Sequence, residues 1–150
     1  MAELSRRRVL WGGAIVVVAV VFVVVALLGR DAINERAQDE SRASERCTSI
    51  IRGDIASRLE AGGKTSAQAS SAEFSDVTTD NSGLSISDLN ALREAGRDRS
   101  AVANTWLIAG DVRIQGDLPS GSGLGPTNTF RCTAVVFNDR AVLVASHRIN

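Results

Sequence analysis

Two cysteines and a single histidine are the side chains of this sequence best suited to covalent or acid–base chemistry: Cys47, Cys132 and His147. The cysteines are too far apart for a zinc knuckle or a CxxC redox pair. A disulfide between them would close a loop of about 85 residues and stabilise a fold by roughly 3–5 kcal/mol. In an exported domain we expect this Cys47–Cys132 disulfide, and two independent buried thiols are the alternative.

A Cys–His nucleophile pair is a third use of the same residues, and it would make the protein a thiol-dependent enzyme. The strand pattern around Cys132 places its side chain on the core face, where formation of a reactive thiolate is disfavoured. His147 has no cysteine or carboxylate at metal-ligand spacing beside it. We therefore predict no catalytic residue, no metal, no cofactor and no enzymatic activity.

The glycine-rich segment 121–126 (GSGLGP) does not match a nucleotide-binding loop. It lacks the G-x-G-x-x-G spacing, opens no helical pattern and contains no Gly-Lys-Ser/Thr. Asp111 and Asp117 lie near this segment and could in principle bind a cation, but they lack the ordered acids of a calcium loop. The formal net charge is zero, and no basic stripe with interleaved aromatic residues is present, so we expect no nucleic-acid partner.

The segment 9–28 (VLWGGAIVVVAVVFVVVALL) contains no charged residue and sets the position of everything after it. A helix of about twenty residues is about 30 Å long, which matches the hydrocarbon thickness of a bilayer. We predict a single transmembrane helix here, in contact with the lipid bilayer. Residues 1–8 form a basic stub before it.

The charges beside this segment predict its orientation. Arg6, Arg7 and Arg8 directly precede it, and basic flanks stay in the cytoplasm. The N-terminus is therefore expected inside and the remaining chain outside, in the cell membrane. A cleaved signal peptide is the alternative, although the apolar run is longer than the usual 7–15 residues. The stretch 5–10 (SRRRVL) also resembles a twin-arginine export signal.

Residues 31–61 have the spacing of an amphipathic helix, ended by a Gly-Gly pair. Its apolar stripe is thin before Cys47 and stronger after it. We therefore predict a helical stalk over 29–46 and an extracytoplasmic α+β domain over 47–150, in which the helix packs on a small antiparallel sheet. The stalk helix could also support a homodimer or contact another envelope protein.

The segments that follow alternate between linkers and short elements. The small polar residues 64–71 (KTSAQASS) predict a linker. Phe74 and Val77 form an apolar pair that is expected to dock on the core. The residues 80–83 (DNSG) predict a turn. Ser85 is the predicted N-cap of a short helix, with Asp88 at the position of the capping-box acid. We expect the buried stripe of this helix to consist of Ile86, Leu89 and Leu92, and the helix to end at Gly96.

The last third predicts three strands, over 105–115, 129–137 and 141–149, the last two joined as a hairpin at Asn138-Asp139. In the second of these strands alternate residues share one face: Phe130, Cys132, Ala134 and Val136. This pattern puts Cys132 where a helix carrying Cys47 could cover it.

Several motifs of the second half are similar to those of small bacterial exported or membrane-anchored domains of unknown function. The similar pieces follow the order S-A-x-F, W-x-x-x-G-x-V and F-x-C-x-V, with Ala134 where the last pattern has its valine: Ser71–Phe74, Trp106–Val112 and Phe130–Val135. The order of basic stub, anchor, helix and strands also resembles the NTF2-like accessory proteins found beside Mce lipid-transport systems. Both resemblances imply an α+β export domain, and neither transfers a catalytic residue.

Together these patterns predict a single-pass membrane protein whose extracytoplasmic domain has a binding or scaffolding role in the cell envelope. The alternatives are an accessory subunit of an envelope transport or secretion complex and, with less support, a thiol-dependent envelope enzyme.

Overall fold

The computed structural model describes residues 33–65 and 67–150. The chain divides into two compact units, Met1–Gln38 and Asp39–Asn150. The predicted basic stub and the apolar segment 9–28 lie outside the described residues. Within the described ranges, no helix has both the length and the hydropathy needed to cross a membrane.

The unit Asp39–Asn150 contains helices and one antiparallel sheet, which confirms the α+β class. Helix α1 covers residues 33–61, of which 39–61 belong to this unit. The elements that follow are α2 (Ala67–Ser70), β1 (Glu73–Asn81), α3 (Ile86–Glu94), a 3₁₀ turn (Arg99–Ala101), β2 (Val102–Arg113), β3 (Thr127–Phe137) and β4 (Val142–Ile149).

The sheet is an antiparallel meander in the order β1-β2-β3-β4, so that consecutive strands are neighbours. Residues of α1 form one buried cluster with side chains from one face of the sheet, among them Ile108 and Phe130. A second cluster joins α3 to the opposite face through Leu92, Val135 and Phe137. The predicted amphipathic helix therefore packs on the sheet as expected.

Helix α1 buries every fourth residue from the start of the unit: Asp39, Ala43, Cys47, Ile51, Ile55 and Leu59. A step of four residues exceeds one turn of 3.6 residues by about 40°, so successive members are neighbours on the helix surface and the buried stripe winds gradually around α1. The buried part begins at Asp39, inside the segment 29–46 for which the sequence predicts a stalk. Asp39 contacts polar partners there: its Oδ2 accepts from Asn104 Nδ2 at 3.1 Å, and its Oδ1 from Arg140 Nη1 at 3.3 Å.

The capping prediction for α3 is confirmed, but one residue of its predicted stripe is wrong. Ser85 Oγ accepts from the Asp88 N–H while the Asp88 carboxylate accepts from the Ser85 N–H, which completes a capping box. Leu92 is buried, whereas Ile86 is 81% exposed. At about 100° per residue, positions 86 and 92 are separated by about 120° around the helix axis. A helix this short cannot turn both of them toward the same sheet.

The region between α1 and α3 holds more regular structure than the sequence predicts. The predicted linker 64–71 contains the one-turn helix α2, and the predicted turn at 80–83 begins inside β1, which continues to Asn81. Strand β1 lies at the edge of the sheet and is almost entirely exposed. An edge strand therefore replaces the isolated apolar pair expected at Phe74 and Val77.

The hairpin between β3 and β4 turns at Asn138-Asp139, as predicted, with Arg140 at a positive φ of 67°. Arg97, just beyond α3, donates from Nη1 to Asp139 Oδ2 at 2.8 Å and lies over the Phe137 ring. This hydrogen bond, aided by the Ala141 N–H, lowers the pKa of the Asp139 carboxyl below its usual value. The turn is thereby tied to the end of α3.

Candidate functional site

The two cysteines meet in the centre of the core. Cys47 comes from α1 and Cys132 from β3, and their Cα atoms are 6.0 Å apart with the sulfur atoms at disulfide distance. Both side chains are buried within the cluster that joins the helix to the sheet. The predicted meeting of these residues across the helix–sheet interface is confirmed.

His147 lies beside this pair, because it is the residue of β4 directly opposite Cys132 on β3. The sulfur of Cys132 is nevertheless paired with Cys47 rather than with the imidazole, and His147 is exposed. A thiol committed to a disulfide carries no nucleophilic thiolate. The geometry therefore gives the thiol-enzyme alternative less support than the disulfide.

The buried amide of Asn128 forms two hydrogen bonds with the glycine-rich loop. Asn128 accepts from the Gly125 N–H and donates to the Gly125 carbonyl, both at 2.7 Å. The loop connects β2 to β3 and opens no helix. Asp117 lies in this loop and Asp111 in β2. Across residues 33–65 and 67–150 the structure contains no cluster of three or more histidine, cysteine or carboxylate side chains able to hold a metal.

A charged cleft of about 410 Å³ lies at the end of the sheet distant from the α3 cluster. Four charged residues line it, and we call them the cleft charges: Asp76, Asp111, Arg131 and Arg148. The two signs of charge lie on different halves of the sheet: the carboxylates belong to β1 and β2, and the guanidiniums belong to β3 and β4. Its volume lies within the usual range for small-molecule sites, about 300–1,000 Å³.

The two arginines of the cleft are direct cross-strand neighbours, since Arg131 pairs with Arg148 in the register of β3 and β4. Two positions along the same ladder, Thr129 and Asn150 exchange two backbone hydrogen bonds, each of 3.0 Å. In an antiparallel ladder the residues two positions on again form a hydrogen-bonded pair, with Cα atoms about 5.5 Å apart. Like charges so placed repel each other and destabilise a sheet.

On the carboxylate side of the cleft, strand β1 contains a β-bulge. The register between β1 and β2 shifts between Ser75 and Thr78, and Asp76 in this bulge has a positive φ of 51°. Bulges redirect side chains and are common beside functional sites. Here the bulge places Asp76 at the cleft.

Gly110 allows the bulge to approach β2. A Cβ at this position would lie 3.0 Å from Phe130 Cε1, 3.0 Å from the Ser75 carbonyl oxygen and 3.1 Å from Val77 Cα. Two of these three neighbours are backbone atoms, so they cannot move away by changing rotamer. The close approach therefore requires a residue without a side chain.

We expect Gly110→Ala to lower the free energy of unfolding by about 1–3 kcal/mol, because overpacking forces the bulge and the Phe130 ring apart. Gly83→Ala is the matched control, since a Cβ there meets nothing within 4 Å. Thermal unfolding of both variants checks the expectation. Equal stability of the two variants would contradict it.

Comparison of the chain with protein-family models, with curated proteins and with solved structures finds no significant match. The resemblances of its motifs to other proteins therefore remain predictions.

The sequence predicts the cysteine pair, but no pattern in it predicts the cleft. From the sequence, Asp111 is a candidate ligand only together with Asp117, and both precede the glycine-rich segment 121–126. Arg131 and Arg148 could have been noticed as outward-facing residues of neighbouring strands, but their pairing depends on a register that the sequence does not display. Asp76 carries no signal, because nothing in EFSDV predicts a bulge.

Proposed function

We propose that the chain is a single-pass membrane protein whose domain lies outside the cytoplasmic membrane and acts by binding. The apolar segment 9–28 supplies the anchor, and Arg6, Arg7 and Arg8 keep its N-terminal end in the cytoplasm. The anchored domain presents the charged cleft to small ligands of the cell envelope.

One observation carries the proposed location: the buried cysteine pair at disulfide distance. Disulfides persist in oxidising compartments and are rare in the cytosol. The chain contains two cysteines in total, and both are used in this pair. An oxidising compartment beyond the membrane suits this arrangement and agrees with the orientation given by the arginines.

The location is tested with cysteines added to the otherwise native full-length chain. Gly83→Cys adds an exposed thiol to the domain, and Ala2→Cys adds one to the basic stub. A membrane-impermeant maleimide is applied to intact cells and to lysed cells, and the mass shift of the protein is measured. We expect Gly83→Cys to react in intact cells and Ala2→Cys only after lysis.

Two results would contradict the proposal in different ways. Reaction of Gly83→Cys only after lysis would place the domain in the cytoplasm. Recovery of a shortened chain outside the membrane fraction would show a cleaved signal in place of an anchor. The unmodified chain serves as the control, because its paired cysteines should not react in either condition.

A further inference from the structure

We infer that the charged cleft binds a small dipolar ligand, one that carries an oxyanion at one end and a primary ammonium group at the other. This inference rests on the proposed binding role and does not depend on the proposed location. It follows from how the cleft charges are arranged and from what they do not contact.

The first observation is that the cleft charges leave one another unpaired. Within the described part of the chain, none of the four side chains forms an ion pair or a side-chain hydrogen bond. Elsewhere in the same domain, opposite charges within reach do pair, as Arg97 does with Asp139 at 2.8 Å. The cleft therefore keeps two cations and two anions available to a ligand.

The arginine pair is suited to an oxyanion. Each guanidinium offers five N–H donors in a planar fork that matches a carboxylate or phosphate. Arg131 and Arg148 stand opposite each other on adjacent strands, so one oxyanion between them can accept from both. Its negative charge would also relieve the repulsion between these two side chains.

The two carboxylates exclude a simple anion as the best ligand. Asp76 and Asp111 line the same cleft and would repel a free phosphate. An ammonium group attached to the oxyanion turns this repulsion into attraction, because carboxylates accept its hydrogen bonds. A dipolar ligand is thus the class that uses all four cleft charges.

Strand geometry sets the size of that ligand. Adjacent strands are about 4.7–4.9 Å apart, so the midpoint of β1–β2 lies about two strand spacings from the midpoint of β3–β4, while Asp111 and Arg131 stand on the adjacent strands β2 and β3. A short linker between the two charged groups meets this requirement. O-phosphoethanolamine has this chemistry, and the same group occurs free or as a phospholipid headgroup.

The test measures binding of O-phosphoethanolamine to the full chain in nonionic detergent by titration calorimetry. We expect it to bind at least tenfold more tightly than inorganic phosphate or ethanolamine alone, because each of these meets only half of the cleft charges. Arg131→Gln and Asp111→Asn should each weaken binding about tenfold or more, as expected for loss of a charged hydrogen bond.

Matched controls lie on the same sheet outside the cleft. Arg113→Gln and Asp80→Asn remove exposed charges of β2 and β1, and both should leave binding unchanged. Circular dichroism of every variant checks that the domain stays folded. Equal binding of phosphate alone, equal weakening by the control variants, or no binding by the folded native chain would each overturn the inference.

A second arm separates the two sources of the ligand. Short-chain phosphatidylethanolamine is added to the micelles before the titration. Competition with O-phosphoethanolamine would identify a lipid headgroup as an accessible ligand, whereas binding without competition would identify a free molecule. Both results support the dipolar chemistry. If the cleft binds while Gly83→Cys reacts only after lysis, the location alone is wrong.

Discussion

Reduction of the Cys47–Cys132 pair is expected to lower the free energy of unfolding by about 4–5 kcal/mol. The pair is separated by 85 residues, and a cross-link over so long a loop removes much of the entropy of the unfolded chain. For a domain of this size, such a loss corresponds to a fall in the midpoint of thermal unfolding of roughly 15 °C or more.

The measurement compares the full chain before and after reduction, so that the side chains are identical in both samples. The double variant Cys47→Ala/Cys132→Ala is the control and should not respond to the reductant. Thiols are counted after denaturation to verify that reduction is complete. An unchanged midpoint in fully reduced protein would show that the link does not stabilise the domain.

Shortening a buried side chain of α1 should cause the next largest loss of stability. Ile55→Ala is expected to lower the free energy of unfolding by about 3–4 kcal/mol, because it leaves a cavity in a closely packed interface. Ile55 is fully buried between α1 and the sheet. Denaturant unfolding of the full chain measures the change as a shift in midpoint at constant slope.

Ile86→Ala is the matched control for this prediction. It makes the same chemical change in another helix of the domain, at a side chain that is 81% exposed. Its effect should remain within about 0.5 kcal/mol. Comparable losses in the two variants would contradict the packing described for α1, and would restore Ile86 to the buried stripe that the sequence predicts for α3.

The elements that the sequence predicts well are those in which one face is buried throughout. In β3, residues 130, 132, 134 and 136 are all buried on one face, so period-two spacing locates both the strand and the inward position of Cys132. The Ser85–Asp88 capping box is equally local, because the whole signal lies within four consecutive residues. Neither prediction requires knowledge of which strands pair.

Strand β1 escapes this kind of prediction because it is an edge strand interrupted by a bulge. Phe74 faces the core cluster, but Val77 is 38% exposed. The extra residue between Ser75 and Thr78 shifts the alternation partway along the strand. The pattern therefore has no constant period, and its nine residues resemble a loop.

The cleft depends on a second irregularity that no local pattern reveals. Between β3 and β4 the pairing slips by one residue, after Ala134↔Val144 and before Thr133↔Ser146. Continued regular pairing from the turn would have placed His147 opposite Arg131. The slip places Arg148 there instead, so the arginine pair could not be derived from the hairpin alone.

The position of the two cysteines also determines the order in which the domain can close during synthesis. Cys132 emerges 85 residues after Cys47, a delay of roughly 4–17 s at ~5–20 residues per second. The chain has no third cysteine, so Cys47 cannot form a wrong intramolecular bond while it waits. Its competing reactions are therefore with other molecules, and with a second copy of the chain the product is a Cys47-linked dimer.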